Sequence, residues 1–78
     1  MLAVKTNDDW QAQVKGLLKA ELKRRNLSYA DLADKLAEIG VRDSERNISN
    51  KIARGSFTAV FFIQCLEAIG CRMLHLSD

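Results

Sequence analysis

The chain contains no proline, four glycines, two cysteines and a single histidine in 78 residues, and aromatics make up only 6% of it. Few glycines and no proline leave little to interrupt helices, and the recurring Ala, Leu, Lys, Arg and Glu favour them. Cys65 and Cys71 are too few and too badly spaced for a disulfide framework or a zinc site. His75 stands near the C-terminus with no neighbouring nucleophile or carboxylate motif. No phosphate-cradling glycine loop is present. Ser28, Ser44 and Thr58 all fall at helix-capping positions, and Ser49 and Ser56 have no activating partner. No catalytic residue, metal, cofactor or small-molecule ligand is therefore expected. No apolar run approaches the ~20 residues of a membrane span, and residues 1–4 are too short for a signal core. A membrane partner is not expected, and a reducing cytoplasm suits both thiols.

What is present is a foldable composition: 47% hydrophobic and 28% charged residues. The length allows one domain with one small core. A core this size is marginal, so a homodimer or another partner covering apolar surface fits it. The net charge of +2 carries no message by itself. Its distribution is uneven, with Lys15, Lys19, Lys23, Arg24 and Arg25 set against Glu21 alone. Asp31, Asp34 and Glu38 then outweigh Lys35, and residues 42–54 are basic again. Such a chain has a sided electrostatic field.

Apolar spacing and punctuation predict four helices. Trp10, Val14, Leu17, Leu18 and Leu22 recur at helical spacing after the acids Asp8 and Asp9, giving a first helix over about 8–25. Asn26 suits the left-handed cap that follows it. Ser28 with Asp31 is a capping-box pair opening a second helix, which turns Leu32, Ala33, Leu36 and Ile39 inward and stops at Gly40. Asp43 or Ser44 caps a third helix ending at Gly55. Thr58 caps the fourth, with Phe57 stapled onto Phe62. Helix 4 has a wide apolar arc, with Phe61 and Ile63 on its flanks. Either it is the central helix, or Val60, Phe61 and Ile63 form an interface. The tail from Arg72 alternates weakly, which allows a short C-terminal strand. The expected divisions are a flexible N-terminus (1–7), a helical domain (8–70) and a tail (71–78).

The third helix carries the functional signal. At about 100° per residue, Ile48 and Ile52 point one way, while Arg46, Asn47, Asn50, Lys51 and Arg54 fan across roughly 140° on the other side. That outer face holds no acid. Arg and Lys match guanine acceptors, and Asn pairs with adenine. A solvated basic face is the plain alternative.

Helices 2 and 3 are joined by a short, glycine-led turn of helix-turn-helix size. Ser28-Tyr29-Ala30-Asp31-Leu32-Ala33, Gly40-Val41, Asn47-Ile48-Ser49-Asn50-Lys51-Ile52 and Arg54-Gly55 resemble the Cro and lambda-repressor type of helix-turn-helix. More narrowly, Trp10, Tyr29, Leu32, Gly40, Asn47, Lys51, Arg54-Gly55, Phe57 and Phe61-Phe62 are similar to a small bacterial family, domain of unknown function 6471 (DUF6471). The repressor resemblance implies an all-α, lambda-repressor-like four-helix bundle that binds DNA through helix 3 as a transcriptional regulator. Arg46, Asn47 and Asn50 would then meet base edges, and Lys51, Arg54 and Ser28 would meet phosphates. Helix 2 and its turn are longer than the repressor pattern, and Asp43 and Glu45 stand where phosphates would approach. Those departures favour a rival reading: a protein-interaction module of the same fold working through helix 4. Lys15, Lys19 and Lys23 are read first as a solubilising edge.

Overall fold

The computed structural model describes residues 4–76, and residues 1–3 and 77–78 lie outside the described part. Four helices follow in order: α1 (Asn7–Arg24), α2 (Tyr29–Glu38), α3 (Glu45–Arg54) and α4 (Ala59–Ala68). The protein is an all-α four-helix bundle, in which α1 and α2 each pack on both α3 and α4.

Short polar residues start every helix. Thr6, Ser28, Ser44 and Thr58 sit in extended backbone, and each side-chain oxygen accepts the backbone N–H three residues on. This satisfies one of the donors a helix start leaves open, which is worth about 1 kcal/mol. The first cap falls at Thr6, with Asp8 and Asp9 in the first turn, and Asp9 returns its carboxylate to the Thr6 N–H at 2.9 Å. Helix ends are as well defined. After α1, Asn26 adopts a left-handed φ of 57°. The Asn26 and Leu27 N–H groups then bond the Lys23 and Leu22 carbonyls. This Schellman arrangement turns Leu27 back onto the bundle. α2 and α4 end in the same pattern, returning Val41 and Cys71.

The core comes from all four helices. Leu18, Leu32, Leu36, Ile48, Ile52 and Cys65 are completely buried. Full burial of such a side chain contributes about 1.5–3 kcal/mol, so few residues hold the bundle together. α1 and the end of α3 approach closely at Gly55, where an added Cβ would stand 2.8 Å from the Gln11 carbonyl oxygen.

Four expectations are corrected. Trp10 is 54% exposed. It lies in the first turn of α1, at the margin of the bundle, with the Lys5 ammonium 4.5 Å above its ring. Ile39 is 48% exposed because α2 has ended before it, and Val41 takes the inward place. Phe61 is buried, so it belongs to the core and not to an exposed flank of α4. Residues 71–76 form no strand. The tail is held instead by Leu74 against the core, the Cys71 thiol on Glu21, and the Gln13 amide donating to the Leu76 carbonyl at 3.5 Å. The Phe57–Phe62 staple is present, with ring centroids 5.9 Å apart.

Candidate nucleic-acid interface

α3 is short enough that its chemistry is set by which side faces α1 and α2. Ile48 and Ile52 are drawn wholly into the core, which turns Arg46, Asn47, Asn50 and Arg54 outward into solvent. Among the described residues, neither Arg46 nor Arg54 enters an ion pair. The Asn50 amide has no side-chain hydrogen bond among them either. The face therefore offers two guanidiniums and a free amide on one rigid helix.

Lys51 stands at the edge of that arc and behaves differently. Its ammonium reaches back 2.6 Å to Asp43 Oδ2 and lies 4.8 Å over the Phe61 ring. It thus ties α3 to the preceding connector and to α4. Asp43 Oδ1 in turn accepts the Ser44 N–H at 3.1 Å. The Lys51 ammonium holds the Asp43 carboxyl below its ordinary value of 3.8, with Asn47 and the Ser44 N–H adding to the effect. Asp43 is thus neutralised within the fold and is not open to an approaching phosphate. Glu45 remains exposed at the start of α3.

Ser28 is engaged as the α2 cap, accepting the Asp31 N–H at 3.1 Å, while its own N–H meets Asp31 Oδ2 at 2.9 Å. Its hydroxyl proton is left over for an external acceptor. Lys15 also departs from a purely solvated role: its ammonium donates to the Ala53 carbonyl at 3.1 Å, capping the negative end of α3. Lys19 and Lys23 line an open cleft of about 380 Å³ with Tyr29 and Asn26, around the connection from α1 to α2. The connector between α2 and α3 covers residues 39–44, longer than the ~3–4-residue turn of a standard helix-turn-helix.

One polar cluster escaped the sequence reading. Glu21 is buried, and Arg25 donates to its Oε1 at 2.6 Å while Arg24 pairs with its Oε2. The Cys71 thiol approaches the same carboxylate at 3.6 Å. The Arg25 bond is the main reason the Glu21 carboxyl lies below its ordinary value of 4.5. The Glu21–Arg25 spacing of one helical turn was legible. Nothing in the sequence marked Cys71 as their neighbour. Cys65, by contrast, is sealed in the core, and burial pushes its thiol up to about 12, which leaves it unreactive. Among the described residues no group of His, Cys, Asp and Glu is placed to hold a metal ion, and no helix is long and apolar enough to cross a membrane.

These features define a class: a small all-α domain presenting one basic, amide-bearing helix face. Residues 10–74 match the family model of domain of unknown function DUF6471, and the chain belongs to that family. No curated protein and no solved structure matches it.

Proposed function

We propose that this is a sequence-specific DNA-binding domain of a transcriptional regulator, in which α2, the connector and α3 act as a helix-turn-helix. The observation that carries the reading is the outward face of α3. Arg46, Asn50 and Arg54 stand exposed there and, among the described residues, unpaired, opposite two fully buried isoleucines. Arg46, Asn47 and Asn50 read base edges in the major groove, while Arg54 and the Ser28 hydroxyl hold phosphates. Lys51 would have to leave Asp43 to reach a phosphate. It is assigned here to positioning α3, and the internal pairing of Asp43 lessens the charge that would oppose docking. The long connector implies a docking angle of its own.

The test is selection from a random duplex pool at low salt, followed by anisotropy titrations of two variants. Arg54→Ala should weaken binding to every duplex and lower the salt slope by about one. Asn50→Ala should cost about 1–3 kcal/mol at one base step and relax preference there. No binding by the wild type at low salt, or unchanged binding by both variants, would overturn the reading. The exposure of Val60 and Ile63 favours a second reading, a protein-interaction module. Weak heparin retention together with a co-purifying protein would support that one.

A further inference from the structure

α4 differs from the other three helices at both ends, with no acid in its first turn and no base in its last. The backbone N–H groups of Thr6, Ser28 and Ser44 each meet a carboxylate, from Asp9, Asp31 and Asp43. Thr58 meets none among the described residues, and the first turn of α4 holds no acid. The one charge on α4, Glu67, stands at the opposite end, beside the carbonyls, where the helix dipole disfavours it. Among the described residues it makes no ion pair, although Arg72 lines the same surface pocket.

The outer side of α4 is otherwise uncharged. Ala59, Ile63 and Glu67 follow at four-residue spacing in one row, with Val60 beside them, and all four are exposed. Val60 is 66% and Ile63 57% exposed, while Phe61, Cys65 and Leu66 face the core.

We propose that this face docks on the same face of a second copy, the two α4 helices running antiparallel about a twofold axis beside Ile63. Ile63 then packs on the partner's Ile63, and each Glu67 lies against the partner's Ala59. The small alanine leaves room for the carboxylate to reach the N–H groups of that first turn. Each copy supplies the acid the other lacks and moves its own acid away from an unfavourable neighbour. The surface is self-complementary, as a twofold interface requires, and a second copy brings both the apolar row and the acid. One helix face buries less than the ~800 Å² per partner of a standard stable interface. The dimer is therefore weak and concentration-dependent.

Sedimentation equilibrium of the full chain without nucleic acid, from about 10 µM to about 1 mM, tests this. The wild type should pass from monomer towards dimer, and Ile63→Arg should stay monomeric with an unchanged circular dichroism spectrum. Ala59→Glu sets two carboxylates together and Glu67→Lys removes the acid, so each should weaken association about fivefold or more. The two combined in one chain should restore it, because Lys would then face Glu across the axis. A wild type that is monomeric throughout, an Ile63→Arg variant that still dimerises, or a double variant no tighter than either single one would overturn the proposal. Since no DNA is present, each of these outcomes leaves the DNA-binding reading to its own test.

Discussion

Gly55 shows what a single position controls. Its φ of 69° is left-handed, and a methyl group there would press on the Gln11 carbonyl oxygen. Gly55→Ala therefore combines backbone strain with a clash against backbone that cannot swing aside. It should destabilise the fold by about 1–3 kcal/mol, read as a lower urea midpoint with little change in slope. The Arg-Gly pair closing α3 thus has two separate duties: Gly55 permits contact with α1, and Arg54 projects outward. The stop after helix 3 was legible in the sequence because glycine so often closes helices. Its second role was not, because Gln11 is distant in the chain.

At the scale of the element, α3 is a helix held at its edge by an ion pair. Asp43 and Lys51 connect the chain before α3 to its last turn and to the Phe61 ring on α4. Because Lys51 holds the folded-state carboxyl below its ordinary 3.8, the pair stabilises the protein above that pH. The contribution fades as the pH falls through the lowered value. Asp43→Asn should accordingly lower the thermal midpoint near neutrality. The gap between variant and wild type should narrow as the pH drops below about 4, in melts followed by circular dichroism. A pH-independent gap would show that packing, not charge, accounts for the loss. Elements were the most legible scale throughout. The caps at Ser28, Ser44 and Thr58, the left-handed Asn26 and the Phe57–Phe62 staple depend on residues within a turn of one another, and local chemistry decides them. Ile39 was misread because it kept the helical spacing one residue after the helix had closed.

At the scale of the molecule, Glu21 joins parts of the chain that sequence keeps apart. It receives Arg24 from the end of α1, Arg25 from the cap just after it, and the Cys71 thiol from beyond α4. Glu21→Gln removes the charge that holds both guanidiniums. We expect a loss of about 1–2 kcal/mol, with faster amide exchange across 71–76 and no change in the exchange of α3. Unchanged protection of the tail would show that Leu74 and the Gln13–Leu76 hydrogen bond hold it without Glu21. The tail also explains the missing strand. A strand needs a neighbour with free backbone groups, whereas this segment lies against the bundle and is held by side chains.

By itself, the sequence determined the four helices, their starts and stops, and the two faces of α3, because each follows from contacts between residues a few positions apart. Tertiary structure decided the rest. It sank Phe61 and left Val60 and Ile63 in solvent, although all three belong to the same apolar run. It also withdrew Lys51 from the basic face and turned Asp43 inward beside it, since an ammonium at the edge of an arc bonds whatever the neighbouring helix and connector bring within reach. Periodicity tells which side of a helix is apolar. Only the packed bundle tells how far round that helix the core extends, and which charges are already spoken for.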